Sequence, residues 1–211
     1  MSLVLDLIFP KTCFGCGKTG QYFCPKCQSK IKFHSIKYSS DLPKEGRLSL
    51  FYYHGLIRQS IQSLKYNFVT DFIDEITDIF VQKIQSTYPH LVSYWQQNNF
   101  VLTPIPLHYY RQNWRGFNQS VLLSQTIAQK LNLNFSDQII FRSKYTHSQA
   151  RFKTHSNRLQ NLHQAFTPIL PNPANIIIFD DVASSFSTLN SALNCLKPFG
   201  LDHCWYLTFA G

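Results

Sequence analysis

Two groups of residues in this 211-residue chain have types and spacings that can do chemistry. The first is Asp180-Asp181-Val182-Ala183-Ser184-Ser185-Phe186-Ser187-Thr188, two adjacent carboxylates followed at once by small hydroxylated side chains. Carboxylates accept hydrogen bonds from the vicinal hydroxyls of a sugar. The N–H groups of a loop that opens into a helix, helped by Ser184, Ser185, Ser187 and Thr188, hold an anion such as phosphate. A sugar phosphate would satisfy both halves, whereas an ordinary strand end with a helix cap would use the same residue types for their acceptors alone. The second group is Cys13-Phe14-Gly15-Cys16 followed by Cys24-Pro25-Lys26-Cys27. Two Cys-x-x-Cys pairs can bring four thiolates into tetrahedral reach of one zinc ion, in a closed, structural site. Two disulfides or a redox pair are the alternatives, and the first needs a secreted chain.

The elements that must position these residues follow from apolar spacing. Ile176-Ile177-Ile178-Phe179 is a continuous apolar run and predicts a strand buried on both faces, with Leu189, Leu193 and Leu196 at helical spacing after it. In an open α/β sheet the carboxyl end of such a strand is where ligands bind, so Asp180 and Asp181 fall at the useful end. A second unit of this kind starts with Phe100 to Pro106 as a strand. The loop 107–119 follows, rich in Arg, amides and aromatics, and then a helix carries Leu123, Ile127 and Leu131. Arg111 and Arg115 in that loop suit phosphate oxygens, because a guanidinium donates two hydrogen bonds at once. Earlier, Leu48 to Tyr53 predicts a strand, Ile57, Ile61 and Leu64 a helical face ending near Lys65-Tyr66, and Phe72 to Ile84 a second helix. Gln138 to Phe141 and Asp202 to Phe209 complete the strands.

Residues 1–46 read as a zinc-binding module with a polar linker, and 47–211 as the main domain. The net charge is +9, and from Ile79 to Phe179 nine cations against Asp137 leave +8 in one segment. Such a field favours polyanions. The densest part, 142–158, contains Arg142, Lys144, Arg151, Lys153 and Arg158, two His and no acid. These five cations are the expected nucleic-acid contacts, and Tyr145 and Phe152 among them could stack on bases or anchor the loop by packing. His108, His147 and His155 read as solvated loop residues, and Cys195 and Cys204 as core thiols. No apolar run reaches the ~20 residues needed to span a bilayer, and the Leu3-Val4-Leu5 start lacks the parts of a signal peptide. The expectation is a cytoplasmic protein with no membrane insertion.

The acidic loop resembles the phosphoribosyl-pyrophosphate (PRPP) loop of type I phosphoribosyltransferases, in which two acids and an aliphatic precede Thr-Thr-Gly-x-Thr. Asp180, Asp181, Val182, Ala183 and Thr188 match, Ser184 and Ser185 substitute for hydroxyls, and Phe186 stands where that family has Gly. Other stretches are similar to signatures of the ComF competence family. They are Tyr53-His54-Gly55 leading to Leu64-Lys65-Tyr66, and Pro104-Ile105-Pro106-Leu107-His108 with Arg111 and Arg115-Gly116-Phe117-Asn118-Gln119. A third runs from Arg142, Thr146 and Gln149 to Arg158, Asn161, Ala165 and Phe166. The resemblance implies a type I phosphoribosyltransferase-like α/β fold, a parallel sheet flanked by helices, with a small N-terminal zinc-ribbon-like module. It implies a role in natural transformation, handling imported single-stranded DNA, with structural zinc and PRPP bound with Mg²⁺ as ligands. Expected partners are single-stranded DNA and a DNA-uptake helicase or recombination proteins, through which the chain would sit peripherally at the inner membrane. The alternative reading is an active Mg-dependent phosphoribosyltransferase with an unknown acceptor.

Overall fold

Ile176, Ile177, Ile178 and Phe179 are fully buried in the computed structural model, and they form the middle of the central strand β6 (Asn175–Val182). The structure describes residues 10–34, 44–107, 109–142, 166–169, 174–183 and 187–211. In chain order these give α1 (Pro25–Gln28), β1 (Glu45–Phe51), α2 (Gly55–Gln62), a π-helical turn (Ser63–Asn67), α3 (Ile73–Thr87) and α4 (Pro89–Gln97). Then come β2 (Val101–Pro104), α5 (Tyr109–Arg115), α6 (Gln119–Leu131), β3 (Asn134–Phe135), β4 (Ile140–Arg142) and β5 (Phe166–Pro168). After β6 come α7 (Ser187–Leu196) and β7 (His203–Ala210).

The main sheet has the order β1-β7-β6-β2-β3 and every pair in it is parallel. Parallel neighbours need crossovers, and here they lie on opposite faces. Leu123, Ile127, Ala128 and Leu131 of α6 belong to the larger apolar cluster with Ile177, Phe179, Trp205 and Leu207. Leu189 and Leu193 of α7 belong to the smaller one with Ile176, Ile178 and Tyr206. The alternation along β6 sends odd-numbered side chains to one layer and even-numbered ones to the other. Since β2 leads outward to β3 and β6 outward to β7, the order reverses between β2 and β6. That reversal opens a crevice at their carboxyl ends, the usual ligand site of such sheets.

The structure adds to or corrects several sequence expectations. Loop 107–119 contains the helix α5, and α4 and β3 were not anticipated. The strand expected at 138–141 is the edge of a separate two-stranded antiparallel sheet, Ile140–Arg142 with Phe166–Pro168. The sheet already includes Glu45 and Gly46, inside the span read as linker. Gly46 is required there, because a Cβ would lie 2.4 Å from the Trp205 ring. Among the described residues, the cysteine module's own buried cluster is limited to Cys13, Cys24 and Cys27. Phe23 and Ile31 are part of the main cluster, and Phe14, Tyr22 and Phe23 all pack their rings on Phe72. The chain leaving the module closes the β1 edge, with Phe33 bridging to Phe51 and the His34 N–H donating to Leu50 O at 2.9 Å. Covering an edge this way removes an exposed ladder of backbone groups.

Candidate functional site

The crevice is built from the exits of β6 and β2 and the first turn of α6. Gly116 ends α5 at φ 80°, a left-handed conformation that glycine adopts without a Cβ penalty. The buried run Asn118, Gln119, Ser120 then starts α6. The Asn118 side chain accepts from the Ser120 N–H at 3.0 Å and donates to Ile105 O at 3.0 Å, fixing the helix start to the exit of β2. From there the helix reaches the acid pair. Ser120 Oγ donates to Asp180 Oδ1 at 3.2 Å, and Gln119 Nε2 donates to Asp181 Oδ1 at 3.3 Å. Arg115 Nη1 donates to Gln119 Oε1, so the guanidinium on α5 is joined to the acids through one amide.

Lys65 completes the site. Its ammonium forms an ion pair with Asp181 Oδ2, with side chains 19% and 4% exposed. Burial pushes the Asp181 carboxyl up, but the Lys65 charge and the hydrogen bonds from Lys65 and Gln119 override it and hold the carboxyl below its ordinary range. Lys65 behaves in the complementary way, with burial lowering it and Asp181 raising it further. Asp180 goes in the opposite direction. Loss of water and the neighbouring Asp181 charge raise it from 3.8 to about 7. Beside it, Thr208 is its register partner on β7 and Ser49 is the partner of Thr208 on β1. Both hydroxyls are buried and have no hydrogen-bond partner among the described residues. The two acids are therefore unlike in charge state near neutral pH: one paired carboxylate, and one carboxyl that can also donate.

Because the folded value of Asp180 lies above its unfolded one, the folded state holds this proton more tightly. The contribution is fully present below about pH 4 and is lost as pH rises through about 7. Asp180→Asn is expected to remove that dependence, so that urea midpoints at pH 5 and pH 8 differ less in the variant than in the wild type. Equal pH dependence in the two proteins would show that Asp180 is not the group responsible.

The structure brings Asp180, Asp181 and Arg115 together. Thr188 is half-buried in the first turn of α7. Arg111 lies on α5 and Ser187 begins α7, but their side chains fall outside the described residues, as do Ser184, Ser185 and Phe186 entirely. Lys144, Arg151, Lys153, Arg158, Tyr145, Phe152 and the three loop histidines also lie outside them. Arg142 departs from expectation. It is 8% exposed, with its guanidinium 5.4 Å over the Phe166 ring, which takes it out of the exposed basic face read from the sequence. Lys65 is the site residue that sequence reasoning missed. It stood inside a recognised signature, yet spacing gave no sign that it meets Asp181.

The cysteine centre has the chemistry of a zinc site. The four Sγ atoms of Cys13, Cys16, Cys24 and Cys27 lie within 4.8 Å of one another, and none is in a disulfide. A Cβ at Gly15 would lie 2.8 Å from Cys27 Sγ, so the knuckle closes only around glycine. The Cys24 N–H donates to Cys13 Sγ at 3.5 Å. Burial alone would push the Cys13 thiol up, but N–H groups of Cys24, Gly15 and Cys16 bring it down to about 6, favouring the thiolate that a metal needs. The centre is a structural zinc site of four thiolates.

Three comparisons with known proteins place the chain's similarities. The profile of the family described as "Double zinc ribbon domain" matches residues 4–39. A protein of Haemophilus influenzae named Competence protein F is 33% identical over 105 residues, covering 48% of this chain and 45% of that protein. The chain thus aligns with less than half the length of that relative. Competence protein ComFC of Bacillus subtilis is 23% identical over 209 residues, 90% of this chain and 79% of its own. Among solved structures, an adenine phosphoribosyl transferase of Trypanosoma brucei is 13% identical with a TM-score of 0.41, over 83% of this chain and 74% of that one. Among the described residues, no helix is long and apolar enough to cross a membrane.

Proposed function

We propose that the chain is a ComF-type protein on a phosphoribosyltransferase-like scaffold and that it acts in natural transformation by holding imported single-stranded DNA, with PRPP or a like sugar phosphate in the β2–β6 crevice. Most support comes from the grouping of an acid pair, Lys65 and Arg115 at the switch point of the sheet, in a chain whose residues 79–179 carry +8. Asp180, half-buried, offers its carboxyl to sugar hydroxyls, Asp181 is held behind it by Lys65 and Gln119, and the α6 start and Arg115 supply the cationic side. Magnesium, when bound with the ligand's phosphates, would neutralise their charge. The basic segment holds a DNA backbone without reading its sequence.

Two measurements test this. Oligonucleotide affinity is expected to fall steeply with salt. Lys144→Glu, Arg151→Glu and Lys153→Glu together should weaken every sequence alike and reduce the single-strand salt slope by about 0.7 per lost phosphate contact. Salt-independent binding would overturn the DNA reading. PRPP titration by calorimetry, with and without Mg²⁺, on the wild type and on Phe186→Gly tests the crevice. Binding by the wild type supports a working ligand site, and binding by the glycine variant alone makes the natural loop a relic. Pyrophosphate release by the wild type would favour the enzyme reading instead.

A further inference from the structure

Beside the crevice, on the side of the zinc module, lies a cleft of about 450 Å³ lined by Phe14, Gln59, Gln62, Ser63, Tyr66 and Asn67. Two walls are aromatic rings, and three of the remaining residues carry carboxamides, each of which both donates and accepts hydrogen bonds. Phe14 is half-buried, its ring stacked on Tyr22 and edge-on to Phe23 and Phe72, so its remaining surface is presented rigidly to the cleft. Tyr66 is 62% exposed, although a ring of that size gains most by burial.

The aromatic surface continues past the rim. Phe68, immediately after Asn67, stands at φ 56°, a left-handed conformation that bulky residues seldom adopt. This conformation ends the π-helical turn, and the Phe68 ring meets Trp114 at 5.8 Å and Phe117 at 6.3 Å. Trp114 is 65% exposed, and Tyr109 and Tyr110 of the same helix are also exposed. Cations neighbour the rings in sequence: Arg58, exposed on α2, precedes Gln59, and Arg115 follows Trp114. Exposed apolar rings gathered from two elements mark a binding surface. Rings alone would suit a protein partner, but amides among them and cations around them suit an unpaired base attached to phosphate.

We propose that the Phe14–Tyr66 cleft and the adjoining Phe68–Trp114 surface form a nucleobase-binding site, in which unpaired bases of a single strand stack on the rings and Gln59, Gln62 and Asn67 meet their polar edges. This rests on the single-stranded DNA reading above and deepens it, because it separates base contacts here from backbone contacts on the basic segment. The site accepts bases generally, since carboxamides can present either a donor or an acceptor.

The zinc-loaded full chain is titrated with fluorescein-labelled oligothymidylate and with an abasic oligomer of equal length, which keeps the phosphates and lacks the bases. Tyr66→Ala and Trp114→Ala are each expected to weaken oligothymidylate binding roughly 5- to 100-fold, to leave the abasic oligomer unchanged and to keep the salt slope. Tyr66→Phe should restore affinity. Tryptophan emission gives an independent readout. Trp95 and Trp205 are fully buried, so quenching by oligothymidylate but not by the abasic oligomer reports a base on Trp114. Equal losses on both oligomers, or unchanged binding by the variants, would overturn the proposal while leaving the DNA reading intact. If the wild type binds neither oligomer at low salt, the DNA reading itself fails and the proposal falls with it.

Discussion

Removing zinc with a strong chelator is expected to lower the thermal midpoint of the entire chain by about 10 °C, as one cooperative loss. The reason lies in where the module's side chains go. Phe23 and Ile31 are buried in the main cluster, three module rings meet on Phe72, and the Tyr22 N–H donates to Glu75 Oε2 at 3.1 Å. Withdrawing one buried Phe from a core costs about 3–5 kcal/mol, and in a chain of this size each kcal/mol moves the midpoint by about 2–4 °C. Structural zinc contributes on the order of 10 kcal/mol to holding small thiolate modules together, so the module cannot stay folded without it. Cys24→Ser should reproduce most of the chelator effect, and Phe23→Ala should reproduce the part due to packing alone while retaining zinc. Calorimetry of the three samples checks this. A chelated protein melting within a degree or two of the holoprotein would mean that the module is an appendage.

Lys65→Met is expected to destabilise the fold by about 3–5 kcal/mol at pH 8, because it leaves the buried Asp181 carboxylate without its counter-charge. The pH dependence follows from the direction of the Asp181 shift. In the wild type, the lowered carboxyl contributes stability that is present above about pH 4 and lost as pH falls through its lower folded value. In the variant the two Lys65 contributions are gone and hydrogen bonds such as that from Gln119 are left to oppose burial, so the carboxyl rises relative to the wild type, Asp181 takes up a proton sooner and the gap from the wild type narrows as pH falls. Asp181→Asn in the Lys65→Met background should recover most of the loss, and the double-mutant cycle should give a coupling well above that of an exposed pair, which is about 0–1 kcal/mol. Urea denaturation at pH 5 and pH 8 decides the matter. A loss under about 1 kcal/mol with no pH dependence would mean that Asp181 is satisfied elsewhere.

Much of this arrangement was readable from residue types. The zinc site was legible because its four ligands are close in sequence and their spacing is itself the geometry. The strand at Ile176–Phe179 was legible because a short uninterrupted apolar run with three β-branched residues fits a strand buried on both faces, and the acids after it then fall at the sheet's carboxyl edge. The features that escaped depend on distant partners. Lys65 and Asp181 are 116 positions apart, and a lysine near the end of a helical pattern ordinarily faces water. Arg142 read as part of a basic loop because nothing local told of Phe166 closing over it. Helix α4 did carry a signal, with Pro89 at its start and Leu91, Val92 and Trp95 on its buried side. The helix α5 carried almost none, since its aromatics stay exposed and leave no apolar stripe.

The π-helical turn Ser63–Asn67 makes chain length, more than residue identity, the critical variable at this point. Such a turn is an α-helix that has absorbed one extra residue, and each residue rotates the following side chains by about 100°. Here the rotation directs Lys65 to Asp181 and leaves the next residue, Tyr66, at the cleft. Deleting a single residue from this turn would return it to α-helical pitch and swing the lysine off the acid and the tyrosine off the cleft together. Point substitutions can damage either site separately. A one-residue shortening, ordinarily mild at a surface turn, would disable both at once.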